Sequence, residues 1–394
     1  MRSKGDHRVI HFDFLAEDVR ATLFHQEPQE VGPASANELA AVHLGATLYC
    51  PATRPRLAGD VLRCRSRGVT SMVLCLEDSV ANDELAEAER NLVEQLCELY
   101  MQSSPTPRLF IRVRTAEQIA ELMQRLGPAA EMVSGFVLPK FTAANGRGYL
   151  AAVDAAALSS GVDLQVMPVI ESAEVMHVET RPQALAQIRE VLCERRRRVL
   201  AVRVGASDFS GIYGLRRSGE MTVYDVRVVA NAIADVVNVL GRSDGTGYTI
   251  TGPVWEYFSS GERIFKPRLR SSVFDEHGAQ ELRHALLLHD LDGLIREVQL
   301  DKANGLVGKT VIHPSHVAAV HALSVVTHEE FSDANAVLAA DSPGGVLRSA
   351  YGNKMNEVNP HRRWAQKVLL RAHAFGVAGA DVSFVDLLAA SVAA

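Results

Sequence analysis

Short, continuous apolar runs bounded by Gly, Pro or Asp recur along the chain. Their hydrophobicity is continuous rather than alternating, which predicts strands buried on both faces, as in a parallel sheet. Eight runs fit this description: Thr47–Ala52, Ser71–Leu76, Arg108–Arg114, Gly135–Lys140, Leu164–Glu171, Val199–Gly205, Tyr248–Val254 and Lys309–His313.

Amphipathic stretches fill the gaps between these runs and predict helices. The first predicted helix begins at Asn82 or Asp83 and runs through Tyr100. The others are Ala116–Leu126, Gly148–Leu158, Gln183–Arg196, Thr222–Leu240, Ala279–Gln299 and Pro314–Leu323. Eight strand–helix units favour an α/β fold of the (β/α)₈ TIM-barrel type. An open doubly wound sheet is the main alternative, but no Gly-x-Gly-x-x-Gly follows the first strand.

Two segments fall outside the predicted barrel. We expect an N-terminal lead-in at 1–45, with room for a short helix, a barrel domain at 46–325 and a C-terminal helical extension at 326–394 that packs on the barrel. The extension has apolar Trp364, Val368, Leu369 and Ala372 at helical spacing, so one of its two predicted helices needs burial. It could close over a barrel mouth or pack on the barrel's side.

The composition narrows the class of protein. The chain has 394 residues, 47% hydrophobic and 22% charged, which excludes a disordered or collagen-like chain. A net charge of −6 gives no overall attraction to nucleic acid. Five cysteines without a Cys-x-x-Cys pair are typical of reduced thiols. Without a signal-like apolar core or an apolar stretch of about 20 residues, we expect a cytoplasmic protein with no membrane partner.

Polar side chains follow the predicted strands at the end where TIM-barrel enzymes place their catalytic groups. These residues are Glu77, Asp78, Arg112, Arg114, Lys140, Glu171, Asp208 and His313. Glu171 and Asp208 belong to neighbouring strands, and two such carboxylates suit Mg²⁺. The alternative is that each caps a helix.

The cationic residues in this set allow several roles. Arg112 can hold a substrate carboxylate in a bidentate pair or stabilise an oxyanion, or it can pair with Glu77 or Asp78. Lys140 is either a Schiff-base lysine or, more in keeping with the arginines nearby, an electrostatic group. His313 alone is more typical of a structural residue, and the arginines of 195–198 are more typical of a helix end that complements the helix dipole.

Seven motifs in order resemble the HpcH/HpaI aldolase–citrate lyase beta-subunit family of phosphoenolpyruvate/pyruvate-binding TIM barrels. They span residues 47–317 and read LYCPATRP, LEDSV, IRVRT, GFVLPK, MPVIES, RVGASDFSGIYG and GKTVIHPSHV. The resemblance implies that Glu171 and Asp208 bind Mg²⁺ and that Arg112, Asp78 and Glu77 are catalytic. It also implies substrate binding by Arg54, Arg112, Arg114 and Lys140.

The sequence departs from that family at four places. Glu-Asp-Ser replaces the Glu-His of the class II hydroxy-acid aldolases, and Arg114 replaces an asparagine, which predicts a more cationic pocket. The stretch from Gly252 to Val307 is long, and the extension has no counterpart in citrate lyase. The chain therefore resembles a divergent branch, the C–C bond lyase-like barrel proteins encoded with tellurium-resistance genes.

Two functions are compatible with these observations. The first is a Mg²⁺-dependent carbon–carbon lyase or aldolase that acts on a small 2-oxo or 3-hydroxy carboxylic acid, or its CoA thioester, through a metal-stabilised enolate. The alternative is a catalytically diverged barrel that acts as a ligand-binding or assembly component of a stress-response or biosynthetic system. The resemblance also implies a homo-oligomer, either a trimer or a hexamer.

Overall fold

Eight parallel strands close into a barrel in the order in which they occur in the chain. The computed structural model describes residues 9–32, 35–258, 291–340 and 344–394. The barrel strands are β1 Ala46–Pro51, β2 Ser71–Cys75, β3 Arg108–Arg112, β4 Val133–Leu138, β5 Gln165–Ile170, β6 Val202–Val204, β7 Ile250–Trp255 and β8 Val307–Val311. The predicted (β/α)₈ fold is confirmed, and each predicted apolar run contains or overlaps one strand.

The register of the strands places their carboxyl ends at one edge. Cys75 at the end of β2 pairs with Arg112 at the end of β3, and Arg112 pairs in turn with Val137 of β4. Residues that follow these strands therefore surround one mouth of the barrel. The strands are buried on both faces because helices cover the outside and side chains fill the interior, as the continuous apolar runs indicate.

The helices around the barrel agree with the predictions with some differences. Their bounds are Leu57–Ser66, Leu85–Gln102, Glu117–Leu126, Ala143–Ser160, Ala173–Met176, Arg181–Glu194, Ala206–Ile212, Arg227–Leu240, Leu291–Ala303 and Ser315–Ser324. Leu57–Ser66 was not predicted. Ala143–Ser160 begins earlier than expected because Thr142 and Asn145 form a capping box. Of the predicted helix Ala279–Gln299, residues 279–290 lie outside the described residues.

The lead-in and the extension meet at the amino end of the barrel. In the lead-in, the helices are Glu17–Leu23 and Asn37–Val42. Residues 326–340 and 344–394 hold three helices rather than two: His328–Ala339, the tail helix Val358–Phe375, and Phe384–Ala393. Short antiparallel strand pairs join Phe24–Gln26 to Val377–Ala378 and Val346–Arg348 to Met355–Glu357.

The tail helix packs at the end of the barrel opposite the mouth. It contacts helix Asn37–Val42, which itself lies against the start of the barrel strands: Ala40 accepts a hydrogen bond from Arg108, the first residue of β3. The apolar face of the tail helix joins a small core with helix His328–Ala339. The tail helix therefore does not cover the mouth of its own barrel, and the prediction that its apolar face is buried is correct. Among the described helices, each is too short or too polar to span a lipid bilayer.

Candidate active site at the mouth of the barrel

Arg112 lies at the centre of a cluster of charged side chains at the mouth. Its Nη2 atom lies 2.8 Å from Oε2 of Glu77, 3.3 Å from Oδ2 of Asp78 and 3.1 Å from Oε1 of Glu171. The side chain is only 11% exposed. Its Nε atom is buried without a hydrogen-bond acceptor in the described part of the chain, and Nη1 also donates to no described residue. The guanidinium thus keeps donors available for a ligand.

Lys140 joins the same cluster through its backbone and its side chain. Its backbone N–H donates to Oε1 of Glu171 at 2.8 Å, and its Nζ atom lies 2.5 Å from Oε1 of Glu77 and 3.3 Å from Oδ1 of Asp78. The backbone at Lys140 is left-handed, with φ +46°, a strained conformation for a residue with a side chain. Burial opposes the charge on Lys140, but the bond to Glu77 and the surrounding carboxylates raise its pKa. A permanently protonated ammonium group favours the electrostatic role over the Schiff-base role.

Glu171 is the most deeply buried carboxylate of the site. Arg112 and the Lys140 N–H both donate to its Oε1 atom, whereas Oε2 accepts no hydrogen bond from the residues described. A Cβ atom on Gly205 would lie 2.5 Å from Cβ of Glu171 and would overlap Oε2, so the carboxylate occupies space that only glycine leaves open. Burial raises the pKa of Glu171 to about 7; Arg112 opposes this shift, and the charge of Asp208 adds to it.

Asp208 follows β6 in the first turn of helix Ala206–Ile212. Its charge raises the pKa of both Glu171 and Lys140, which places it electrostatically within the site. Within the described ranges the Asp208 side chain makes no hydrogen bond or ion pair. The helix-cap alternative is not observed, because the N-cap of this helix is Gly205 and that of helix Ala173–Met176 is Ser172.

Glu77 and Asp78 are adjacent carboxylates that follow β2. Oε2 of Glu77 accepts a hydrogen bond from the Asp78 backbone N–H at 2.7 Å. Burial and a side-chain hydrogen bond with Asp78 raise the pKa of Glu77. Burial also opposes the charge on Asp78, but the bond to Glu77 together with Arg112 and Lys140 lowers its pKa. Of the two carboxylates, Glu77 is therefore the one that takes up a proton first.

Two of the predicted substrate-binding residues lie apart from this cluster. The Arg114 guanidinium donates to the backbone carbonyls of Leu76, Glu77 and Val80, so it fixes the loop after β2. Arg54 pairs with Asp60. Neither side chain makes a described hydrogen bond or ion pair with Arg112, Lys140 or Glu171.

His313, Tyr49 and Arg203 are three further residues of the barrel interior and its mouth. His313 stacks on Phe258 with ring centroids 5.0 Å apart. Sequence reasoning missed Tyr49, an inward-facing residue of β1 whose pKa burial raises and which lies near enough to Arg112 and Glu171 to feel their charges. The guanidinium of Arg203 packs over the Tyr49 ring at 5.4 Å. In a barrel, side chains along a strand point alternately inward and outward, so this alternation along β1 could have predicted that the Tyr49 ring faces the interior.

The oxygen donors at the mouth fit a divalent cation that keeps some of its water or substrate ligands. No described group of three or more His, Cys, Asp or Glu side chains is arranged to hold a metal by itself. Four carboxylates, Glu77, Asp78, Glu171 and Asp208, face two cations, Arg112 and Lys140, which leaves an excess of negative charge. An unpaired Oε2 of Glu171 and an unpaired Asp208 carboxylate are hard oxygen donors, and they fit Mg²⁺ that retains water or substrate oxygens.

A family model described as C–C bond lyase of the TIM-barrel fold matches residues 38–377. Because the match covers most of the chain, the protein belongs to this family and is a lyase-type enzyme. The match runs through the tail helix, so that helix is part of the family's architecture. No curated protein matches the chain.

Several solved structures are similar to this chain. The protein CitE from Mycobacterium tuberculosis, in complex with magnesium, acetoacetate and coenzyme A, has a TM-score of 0.51 and 19% identity over 83% of this chain and 97% of that chain. RipC from Yersinia pestis has a TM-score of 0.44 and 18% identity over 72% of this chain and 95% of that chain. Malate synthase of Haloferax volcanii, as its lead(II) complex, has a TM-score of 0.48 and 14% identity over 71% of this chain and 72% of that chain. Only the similarity to CitE supports the shared fold, and nothing else is taken from these comparisons.

Proposed function

We propose that this lyase is Mg²⁺-dependent and acts on a small 2-oxo or 3-hydroxy carboxylic acid or its CoA thioester. Family membership supports the reaction class, and the magnesium, acetoacetate and coenzyme A of the CitE structure suggest which ligands to test first. The observation that carries the proposal is the arrangement of the buried Glu171 carboxylate. Arg112 and Lys140 hold its Oε1 atom, whereas Oε2 accepts no hydrogen bond from the described residues. The charge of Asp208 acts on the same carboxylate.

Glu171 and Asp208 would hold the metal ion. When bound, Mg²⁺ supplies a Lewis acid that stabilises negative charge on the substrate's oxygens. Arg112 and the Lys140 N–H keep Oε1 of Glu171 in place, which orients Oε2. Gly205 supplies the space that Oε2 occupies. The chain thus prepares the orientation of one ligand before any cation arrives.

Arg112 would bind the substrate's anionic group. Its Nε and Nη1 donors have no acceptor among the described side chains, although the guanidinium is nearly buried. A buried donor without an acceptor costs about 1–3 kcal/mol, so a carboxylate or oxyanion that accepts from it is bound favourably. Lys140 adds a second positive charge at the same side of the mouth.

The pair formed by Glu77 and Asp78 would carry a proton. The raised pKa of Glu77 suits a group that takes up a proton more readily than an ordinary carboxylate, and the lowered pKa of Asp78 favours its ionised form. Lys140 contacts both carboxylates and holds them at the mouth. In this account Glu77 takes the place of the histidine base of class II aldolases.

The experiment is an assay of pyruvate, oxaloacetate or acyl-CoA release from a panel of hydroxy acids and acyl-CoA thioesters, with and without EDTA. We expect turnover that EDTA removes and Mg²⁺ restores, and that Asp208→Asn abolishes. Glu174→Gln, an exposed carboxylate in the helix after β5, is the matched control and should keep its activity. Turnover that is insensitive to EDTA, or equal in the two variants, would contradict the proposal.

We also propose that the enzyme is a cytoplasmic homo-oligomer, either a trimer or a hexamer. The support is the resemblance of its motifs to oligomeric barrels of the same superfamily. Light scattering coupled to size exclusion measures the mass directly. A monomer of 42.8 kDa would contradict the oligomer.

A further inference from the structure

A cavity of about 2420 Å³ lies at the end of the barrel opposite the mouth. Ile250 and Val307, the first residues of β7 and β8, form part of one wall. The tail helix forms another, with Trp364 and Val368 among the lining residues. This space is separated from Glu171 and Arg112 by the length of the barrel strands, so its lining is not explained by the lyase site.

One wall of the cavity carries a row of cations. Arg363, Lys367 and Arg371 follow one another at four-residue spacing on the tail helix, and all three line the cavity. The row is about 12 Å long, because eight residues of helix rise 1.5 Å each. Like charges four residues apart destabilise a helix. In the described structure Arg363 and Lys367 have no ion-pair partner that would offset this repulsion.

The inner end of this row holds more positive charge than its carboxylate neutralises. Arg371 and Lys302 both pair with Glu330, with Lys302 Nζ 3.1 Å from Oε1. The Nε atom of Arg371 is buried and finds no acceptor among the described atoms. Burial lowers the pKa of Lys302, and the charge of Arg371 lowers it further. Two cations share one carboxylate here, and the buried Nε donor of Arg371 has no described acceptor. A bound anion would neutralise the excess positive charge and accept from this donor, and would therefore stabilise the arrangement.

The arginine run at 195–198 reaches the cavity from the barrel side. Asp154 pairs with Arg195 and Arg198, and Arg196 donates to backbone carbonyls of residues 245–247. Arg197 differs from its neighbours, because its side chain has no described partner. The run is therefore mostly neutralised, as expected for a helix end, and contributes one available guanidinium.

We infer that this cavity binds a multiply phosphorylated small molecule of the nucleoside di- or triphosphate class, at a site separate from the lyase centre. Guanidinium groups pair with phosphate oxygens in a bidentate manner, which suits Arg363, Arg371 and Arg197. A row 12 Å long needs more than one anionic group to neutralise it, roughly the span of a short phosphate chain. Trp364 and the apolar wall offer a surface for the organic part of the ligand.

Calorimetric titration with ADP and with inorganic triphosphate tests the inference. Arg363→Gln/Lys367→Gln changes two exposed positions, so the variant should fold, and we expect its affinity for both probes to fall at least about tenfold. Arg362→Gln is the matched control, because this neighbour on the same helix does not line the cavity. Its affinity should change less than about twofold. ADP should also quench the fluorescence of Trp364, and Trp364→Phe should remove the signal, since Trp255 is fully buried.

Four results would overturn the inference. The first is no heat with either probe at millimolar concentration. The second is an equal loss in Arg362→Gln and the double variant, which would mean general attraction to a basic surface. The third is loss of binding in Lys140→Gln, which would place the phosphates at the lyase mouth. The fourth is binding only to vesicles that contain phosphatidylglycerol, which would make the ligand a lipid headgroup.

Discussion

The Glu171 carboxylate occupies the space that a side chain at residue 205 would need, and Gly205 leaves this space open. A Cβ atom at residue 205 would lie 2.5 Å from Cβ of Glu171 and would overlap Oε2. We predict that Gly205→Ala displaces the Glu171 carboxylate and weakens Mg²⁺ binding by about tenfold or more, with an overpacking cost of about 1–3 kcal/mol in the free energy of unfolding. Calorimetry and urea denaturation measure the two effects.

Gly211→Ala is the control for this substitution. Gly211 lies in helix Ala206–Ile212, the helix that Gly205 caps, and an added Cβ there meets no atom within 4 Å. It should leave Mg²⁺ affinity unchanged. If Gly205→Ala binds the metal as tightly as Gly211→Ala does, Oε2 of Glu171 does not lie at the metal site.

A lysine cannot replace Arg112. The single Nη2 atom of Arg112 contacts Glu77, Asp78 and Glu171 while Nε and Nη1 stay available, and an ammonium group cannot divide its donors in this way. We expect Arg112→Lys to lower turnover by about two orders of magnitude, the scale of a lost oxyanion donor. Steady-state kinetics on the best substrate of the panel measure it. Turnover close to that of the wild type would show that positive charge alone is sufficient.

Lys309 of β8 links helix Leu291–Ala303 to the barrel through buried ion pairs. It is fully buried, and its Nζ atom lies 2.6 Å from both Oε1 of Glu297 and Oδ2 of Asp301. Lys309→Met would leave buried Asp301 without its cation and Glu297 with Arg217 alone. We therefore expect the free energy of unfolding to fall by about 3–5 kcal/mol. Lys367→Met, at an exposed position, should change it by less than about 0.5 kcal/mol. Equal urea midpoints for the two variants would mean that the buried pair contributes little.

Acid should destabilise the protein through buried histidines. Burial lowers the pKa of His43 to about 3, and the charges of Arg108, His321 and His373 add to the shift. The unfolded chain takes up this proton near pH 6.5, so stability is complete above that pH and falls as the pH drops toward 3. Neither ring nitrogen of His43 makes a hydrogen bond of good geometry in the described structure, although the Val9 backbone lies near enough to oppose the pKa shift. His43→Leu should therefore fold and should flatten this decline.

Melting temperatures at pH 7.5 and pH 5.0 measure the effect. The difference between the two should be smaller for His43→Leu than for the wild type. His25→Leu, at an exposed position, is the control and should behave like the wild type. If all three proteins lose the same number of degrees, His43 does not contribute to acid sensitivity.

The fold could be predicted from the sequence because the barrel strands are buried on both faces and therefore appear as continuous apolar runs. Helix Leu57–Ser66 was missed because it is short and its apolar pattern is weak, with Arg63 and Arg65 in its last turn. In the structure it packs against helix Leu85–Gln102. The short strand pair between Phe24–Gln26 and Val377–Ala378 joins distant segments, which no local pattern encodes.

The site was predictable only in part, for a physical reason. Strand ends identify which side chains reach the mouth, and the structure brings Glu77, Asp78, Arg112, Lys140 and Glu171 into contact there. The direction of a guanidinium depends on the acceptors around it. Arg114 turns to the carbonyls of the preceding loop and Arg54 to Asp60, and neither choice can be read from strand position.

The most direct test of this account is calorimetric titration of Mg²⁺ into the wild type, Glu171→Gln and Asp208→Asn. Each substitution removes one anionic oxygen and keeps nearly the same side-chain volume. We expect the wild type to bind Mg²⁺ and both variants to bind it at least about tenfold more weakly, with Glu174→Gln unchanged. Undiminished binding in both Glu171→Gln and Asp208→Asn would contradict the assignment of this mouth as a magnesium-dependent lyase site.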